Sequence, residues 1–143
     1  MNKLFLSLAL SMGIYAGVPA ALAAPHDAAE PIHTGKSVEG RSIPVYRYGE
    51  GSGEFVFLFG VFHGDEPQGA FMLKELMLLL DQNPAYYADK TIFVVPVVNP
   101  DGLQKRTRVN ARRVDLNRNF PTRDFKPRLN QGTRWYGGPT ALS

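Results

Sequence analysis

Two uninterrupted apolar runs, over residues 55–59 and 91–98, most constrain what this chain can fold into. Apolar runs without alternation are typical of strands that are buried on both faces of a sheet. Between them, residues 67–80 carry apolar side chains at helical spacing, namely Met72, Leu73, Leu76, Met77 and Leu80. The order strand, helix, strand predicts a βαβ unit, and therefore an α/β sheet with helices packed against it.

The segments that flank this unit have the composition of a hairpin and of turns. Within residues 33–48, Gly40 separates two short stretches, the second of which partly alternates apolar and polar residues. The glycine-rich residues 49–53 indicate a turn before the first apolar run. We expect Asn83 and Pro84 to end the helix.

The N-terminus has the three-part pattern of a secretory signal peptide. A short positive start is followed by an apolar run and then by the small residues around Ala23. A membrane anchor is the alternative, but the run is shorter than the roughly 20 residues that a spanning helix needs. We therefore predict a signal peptide over residues 1–23, a flexible leader over 24–32 and one folded domain over 33–143. The protein is expected to be secreted or periplasmic, without a stable membrane anchor after cleavage.

Composition excludes some chemistry and some partners. The sequence contains no cysteine, so an exported chain of this kind has no disulfides and no thiolate metal ligands. A zinc site would have to use histidine and carboxylate groups. The formal net charge of +3 is too small to indicate a polyanionic partner by itself. No pattern of stacking aromatic residues or groove-fitting helix is evident, and we predict no nucleic-acid partner.

A candidate metal pair follows the first apolar run. His63 and Glu66 are three residues apart, a spacing that lets both side chains point the same way in a turn or first helical turn. A neutral imidazole nitrogen and a carboxylate oxygen both suit zinc. In α/β sheets, ligands bind beyond the carboxyl ends of the strands, where this loop and the polar loop 99–102 are both expected. The alternative is a solvated pair in a polar loop.

A second group of polar residues lies between residues 108 and 121. Arg118 is suited to clamp a carboxylate, with Asn117 as an additional amide donor. Arg108 is suited to face a developing oxyanion, and Asp115 to accept the second N–H of a metal-bound histidine. The alternative is a solvated basic loop, because a run of positive charges surrounds these residues: Lys105, Arg106, Arg108, Arg112 and Arg113.

Taken together, the motifs resemble the M14 zinc carboxypeptidases, and most of all the bacterial branch that includes murein peptide amidases. The segments that carry the resemblance are Gly60–Pro67, Val98–Gly102, Arg108–Asn110 and Val114–Pro121. The resemblance spans roughly residues 33–143 and implies a mixed, largely parallel sheet flanked by helices. It also implies a zinc cofactor and hydrolysis of peptide bonds.

The resemblance implies a role for each matched residue. His63 and Glu66 match the first two zinc ligands, and Asp115 matches the carboxylate that supports the first ligand. Arg108 matches the catalytic arginine that polarises the scissile carbonyl and stabilises the oxyanion. Asn117 and Arg118 match the substrate-binding pair that holds a terminal carboxylate. The implied substrates are peptides with a free carboxylate, including cell-wall peptides.

The sequence departs from the family pattern at two places. Arg112 and Arg113 lie where relatives often carry Asn-Gly, which predicts a stiffer loop or a more acidic substrate. The family's third zinc ligand is a later histidine, and no histidine follows His63 here. Its general-base glutamate and its substrate-capping tyrosine also lie later. We therefore expect the N-terminal part of a longer hydrolase, with a fold that is incomplete at the C-terminus and little activity of its own.

Two other functions remain open at the level of sequence. One is a zinc-dependent N-acyl amino-acid deacylase of the aspartoacylase or succinylglutamate desuccinylase type. The residues 99–102 and 115–120 favour the peptidase branch over it. The other is a non-catalytic, secreted peptide-binding protein that retains the carboxylate clamp, which the missing third ligand favours.

Overall fold

The computed structural model describes residues 30–142, so the predicted signal peptide and residues 24–29 of the predicted leader lie outside the described part. The elements are β1 (His33–Lys36), β2 (Ser42–Tyr48), β3 (Glu54–Phe59), α1 (Gln68–Gln82), β4 (Lys90–Val95) and α2 (Pro100–Lys105). Short 3₁₀ turns cover Pro84–Tyr87 and Leu116–Arg118. None of the helices in the described part is long and apolar enough to cross a membrane.

The four strands form one mixed sheet in the order β1-β2-β4-β3. Strands β1 and β2 pair antiparallel from His33 opposite Val45 to Lys36 opposite Ser42, which confirms the predicted hairpin. Strands β3 and β4 pair parallel, and α1 connects them, so the predicted βαβ unit is confirmed. Strand β2 joins the unit antiparallel to β4. The mixed α/β sheet is therefore confirmed, with antiparallel pairing on the β1-β2-β4 side of the described part.

Helix α1 supplies two of the five buried residues of the core cluster in the described part. Met77 and Leu80 are buried against Tyr48, Ile92 and Val94. Full burial of side chains of this size stabilises the fold by about 1.5–3 kcal/mol each. The helix ends as predicted, because the backbone N–H of Asn83 bonds the Leu80 carbonyl and the Asn83 side chain bonds the Leu79 carbonyl before Pro84.

One of the five apolar residues at helical spacing in α1 does not face the core. Met72 is 68% exposed, whereas Leu73, Leu76, Met77 and Leu80 are buried or packed against the core. Those four residues follow the i, i+3, i+4, i+7 pattern, and Met72 lies outside it.

The prediction that both apolar strands are buried on both faces holds for β4 and is wrong for β3. Phe55, Phe57 and Phe59 are 59%, 58% and 52% exposed, while Val56 and Leu58 on the other face pack against the core. The reason is that β3 is an edge strand of the described sheet and α1 covers only its Val56 face. The Phe57 ring stacks on Phe93 of β4, with ring centroids 5.1 Å apart.

The loops after β3 and β4 are joined by backbone hydrogen bonds at the carboxyl edge. The Gly60 N–H donates to the Val95 carbonyl at 2.9 Å, and the Val98 and Asn99 N–H groups donate to the Gly60 and Val61 carbonyls at 3.0 Å. Gly60 allows this approach, because a Cβ there would lie 2.3 Å from the Pro96 carbonyl oxygen. The edge is thereby closed into a rigid platform.

Asp101 in the first turn of α2 contacts the β1–β2 hairpin. It was predicted only as part of the polar loop 99–102, but its buried carboxylate accepts hydrogen bonds from Ser37 Oγ at 2.7 Å and from the backbone N–H of Glu39 at 3.1 Å. Arg41 Nη1 lies 2.6 Å from the same carboxylate. Asp101 therefore anchors the β1–β2 hairpin to α2 rather than taking part in the site.

Candidate metal and substrate site

The loop after β3 presents His63 and Glu66 on the same side. A turn brings them together, in which the Glu66 N–H donates to the His63 carbonyl at 3.1 Å. His63 Nδ1 and Glu66 Oε2 are 3.3 Å apart. The loop is closely packed at Gly64, where a Cβ would lie 1.9 Å from the carbonyl carbon of Gly102. Val61 at the start of the loop has a φ of 49°, a conformation that strains a β-branched residue.

Asp115 is fully buried and holds the other side of His63. Its Oδ1 lies 3.1 Å from His63 Nε2 and accepts the backbone N–H of Asn117 at 3.0 Å. Its Oδ2 accepts a hydrogen bond from Arg108 Nε at 2.8 Å. A buried carboxylate needs partners of this kind, and each of its two oxygens has at least one.

These contacts fix the orientation of the His63 imidazole ring. An ionised carboxylate only accepts hydrogen bonds, so Asp115 is placed to accept an Nε2–H; in that tautomer Nδ1 carries the lone pair and faces the carboxylate of Glu66. Two acceptor atoms this close repel each other unless a proton or a metal ion lies between them. An imidazole nitrogen and a carboxylate oxygen are both suitable ligands for zinc, so the donor pair fits that ion.

Arg108 is held at the site by two carboxylates. Its Nε bonds Asp115, and its Nη1 lies 3.7 Å from Oε1 of Glu66. The connection from Arg108 to Asp115 is a tight turn built by Asn110. The N–H of Asn110 donates to the Val114 carbonyl at 2.9 Å, and its side-chain Oδ1 accepts the N–H of Val114 at 2.9 Å.

Asn117 and Arg118, the pair predicted to bind a substrate carboxylate, are divided between two neighbouring cavities. Asn117 lines a cavity of about 440 Å³ together with His63 and Glu66. It also lines an adjacent cavity of about 370 Å³, to which Arg118 and Trp135 contribute. Arg118 does not line the first cavity, and its Nη1 donates to the Asn117 carbonyl at 3.0 Å. The structure thus groups His63, Glu66, Arg108, Asp115 and Asn117, with Arg118 next to them.

Asn99 is a supporting residue that the sequence reasoning did not single out. It is buried, and its Nδ2 donates to the Phe62 carbonyl at 3.1 Å and to the Arg108 carbonyl at 3.4 Å. Its Oδ1 caps α2 by accepting the Gly102 N–H at 2.9 Å. An asparagine before Pro100 is a typical helix N-cap, so the capping role was recognisable, whereas the link between the two site loops was not.

Within residues 30–142, no group of three or more histidine, aspartate or glutamate side chains is arranged to hold a metal ion. The candidate pair consists of two side chains, His63 and Glu66, and Asp115 is engaged with Arg108 and the second nitrogen of His63. Catalytic zinc generally takes three protein ligands.

The mixed sheet, with α1 on one face and polar loops at the carboxyl ends of β3 and β4, is the carboxypeptidase fold. The family model for zinc carboxypeptidases matches residues 18–141, and the chain therefore belongs to the zinc carboxypeptidase family. The resemblance inferred from the motifs is confirmed. Members of this family are hydrolases.

The chain is similar to a carboxypeptidase, to a murein-tripeptide amidase and to an aspartoacylase family protein. Carboxypeptidase SOL1 of Arabidopsis thaliana is 38% identical over 105 residues, which is 64% of this chain and 21% of that protein. The murein-tripeptide amidase of Escherichia coli O157 is 34% identical with a TM-score of 0.55, covering 69% of this chain and 42% of that one. An aspartoacylase family protein of Mesorhizobium loti is 30% identical with a TM-score of 0.53, covering 66% of this chain and 32% of that one. The chain spans between 21% and 37% of the length of the first curated relatives that it matches.

Proposed function

We propose that the protein acts in zinc-dependent hydrolysis of peptide bonds, as a metallocarboxypeptidase or amidase on peptides that bear a free carboxylate, including the peptides of the bacterial cell wall. The observation that carries this proposal is the direction of the His63 imidazole. Asp115 holds one ring nitrogen, and the other faces the carboxylate of Glu66 at 3.3 Å. A buried partner that fixes the tautomer is the usual support of a metal-binding histidine.

The residues of this chain contribute orientation and charge. His63 and Glu66 would hold the ion, and Asp115 keeps His63 in the required tautomer. A bound zinc ion supplies a water that ionises near neutral pH and polarises a carbonyl group. Arg108 lies 3.7 Å from Glu66, where its remaining N–H groups can donate to a carbonyl oxygen as it gains negative charge.

Substrate binding is assigned to Asn117 and Arg118. Asn117 lines the cavity that contains His63 and Glu66, and Arg118 follows it on the rim of the next cavity. A guanidinium group recognises a carboxylate through paired N–H donors. A substrate carboxylate held between the two residues would place its peptide bond close to the metal pair.

Export to the periplasm or the medium is part of this proposal. The signal-peptide pattern over residues 1–23 supports it, as does the similarity to a murein-tripeptide amidase. A cell-wall peptide combines amide bonds with free carboxylates. Asn117 and Arg118 suit its carboxylates, and a metal ion held by His63 and Glu66 suits its amide bonds.

The test combines zinc binding with peptide hydrolysis by the purified chain. We expect zinc to bind, and to bind more weakly than at a site with three protein ligands, because residues 30–142 supply two. We expect little turnover by the chain alone, and any turnover should disappear with a chelator. Hydrolysis that persists in chelator would overturn the zinc assignment. Zinc binding with peptide affinity and no turnover in any form of the protein would instead indicate a non-catalytic peptide-binding role.

A second candidate is N-acyl amino-acid hydrolysis, which the similarity to an aspartoacylase family protein favours. Both reactions need the same metal pair and a site for a substrate carboxylate. Measuring release of a C-terminal residue beside hydrolysis of N-acetyl-aspartate separates them. Activity on the acyl amino acid alone would replace the peptidase proposal.

A further inference from the structure

A third cavity adjoins the candidate site on the side of Arg108. Its volume is about 330 Å³, and its lining includes Asp65, Thr107, Arg108, Arg113 and Arg134. Arg108 belongs both to this cavity and to the group around His63, because its Nε bonds Asp115. The group around His63 is therefore linked through Arg108 to a space lined by three arginines.

Two of the three arginines that line this cavity form salt bridges with acidic side chains. Arg108 is paired with Asp115 at 2.8 Å, and Arg134 is paired with Asp65 at 3.0 Å. Within residues 30–142, no salt bridge joins Arg113 to an acidic group, and its side chain is exposed at the cavity. The cavity thus presents one uncompensated positive charge.

Arg113 has an unusual backbone conformation for a residue other than glycine. Its φ is 62°, in the left-handed region where glycine is favoured and a branched or long side chain is not. The Asn110 turn imposes this conformation, because the Arg113 N–H donates to the Asn110 carbonyl at 2.9 Å and the turn closes at Val114. The chain thus carries a cation at a position where glycine would be the more stable residue. Arg106 and Arg128 also have a positive φ, and of these three arginines it is Arg113 that lines the cavity beside the candidate site.

We propose that this cavity is an anionic subsite, in which Arg113 binds a second carboxylate of the substrate, such as an acidic side chain next to the bond that is cleaved. This inference rests on the proposed function, since it specifies the class of peptide that the same site accepts. The N–H groups of Arg134 that do not contact Asp65 are additional donors in the same cavity.

The experiment compares two peptides that differ in one charge. Binding of Ala-Glu-Ala and Ala-Gln-Ala to the purified chain is measured by calorimetry at low salt in the presence of zinc. Amidated Ala-Gln-Ala reports on the terminal carboxylate. We expect the Glu peptide to bind about fivefold more tightly than the Gln peptide, as one solvent-exposed ion pair allows. The preference should shrink at high salt.

Three variants distinguish a subsite from a general effect of charge. Arg113→Gln should remove the preference for the Glu peptide. Arg112→Gln removes the same charge from the neighbouring residue, which is exposed and does not line the cavity, and should leave the preference intact. Arg113→Gly should also remove the preference while raising the melting temperature, because glycine adopts the left-handed conformation without strain. That last combination excludes loss of folding as the cause.

Each alternative result has a definite meaning. Equal affinity for the Glu and Gln peptides, with weaker binding of the amidated peptide, overturns the anionic subsite and leaves the proposed function standing. An equal loss of preference in the Arg112 and Arg113 variants also overturns the subsite. If none of the three peptides binds, the peptide specificity in the proposed function fails together with the subsite.

Discussion

His63 Nε2 lies 3.1 Å from Oδ1 of Asp115, a residue 52 positions later in the chain. This contact joins the loop after β3 to the 3₁₀ turn Leu116–Arg118, which begins directly after Asp115. It orients the imidazole, and it pairs a buried carboxylate that would otherwise destabilise the fold. The stability of the fold and the orientation of His63 therefore both depend on the Asp115 side chain.

The first prediction concerns stability. Asp115→Ala should lower the free energy of unfolding by about 3–5 kcal/mol, because the nearly buried guanidinium of Arg108 loses its buried partner and retains only the exposed Glu66 at 3.7 Å. Asp65→Asn is the control, since it breaks a partly exposed pair with Arg134 and should change stability by less than about 1 kcal/mol. Urea unfolding of the variants checks this. Equal losses of unfolding free energy in Asp115→Ala and Asp65→Asn would show that the Asp115 contacts stabilise the fold no more than a partly exposed ion pair does.

The second prediction concerns zinc. Zinc should stabilise the protein as any ligand of the native state does, by about 2.7 kcal/mol at a hundredfold excess over its Kd. His63→Ala should abolish this effect, and Asp115→Asn should weaken zinc affinity by about 10–100-fold. His33→Ala, which changes a histidine of β1, is the control. Thermal unfolding across a zinc titration measures the effect, and a stabilisation that survives in His63→Ala would contradict the site.

The third prediction concerns the close contact between the first site loop and α2. Gly64→Ala should destabilise the protein by about 1–3 kcal/mol or more, because the new Cβ would lie 1.9 Å from the Gly102 carbonyl carbon. Gly35→Ala should be nearly neutral, since its nearest neighbours are 3.8 Å away. Chemical denaturation of both variants tests this, and a harmless Gly64→Ala would mean that the loops are more loosely packed than the structure indicates.

The fourth prediction concerns acid stability. Burial would raise the pKa of Asp101, but the hydrogen bonds from Ser37 and Arg41 and from the Glu39 N–H outweigh it and hold that pKa below its ordinary value of 3.8. A carboxylate with a lowered pKa contributes stability that is fully present above the ordinary value and is lost as the pH falls through the folded-state value. The native protein should therefore lose stability below about pH 4.

Asp101→Asn is the variant that isolates this contribution. It should be less stable than the native protein near neutral pH by about 1–3 kcal/mol, because the Arg41 guanidinium loses its buried partner. Its stability should also fall less steeply between pH 5 and pH 2 than that of the native protein. Unfolding free energies measured across that range test the prediction. Parallel curves for the two proteins would show that Asp101 does not cause the acid dependence.

Much of the fold was predictable because its signals are local. The apolar runs and the helical spacing between them identified β3, α1 and β4, and Gly40 marked the β1–β2 hairpin. The exposure of the Phe55 face was not predictable, because a run of apolar residues has the same composition in an edge strand as in a central strand. The outward position of Met72 depends in the same way on which side of α1 meets the sheet.

The candidate site shows the same division. Residue chemistry together with the family resemblance selected His63, Glu66, Arg108, Asp115 and the Asn117–Arg118 pair as candidates. Their mutual geometry required the tertiary structure. The bridge made by Asn99 and the turn of Asp101 towards Arg41 depend on contacts between residues distant in sequence.

The sequence by itself determined the βαβ unit, the order of the site residues and their family, because periodicity and motif spacing are properties of the chain. Only the tertiary structure decided that His63 faces Asp115 on one side and Glu66 on the other, and that Arg118 lines a different cavity from these two residues. It also placed Arg113 in a left-handed conformation beside Arg108. These relationships arise from the packing of loops against the edge of a sheet, which brings together side chains that no local pattern connects.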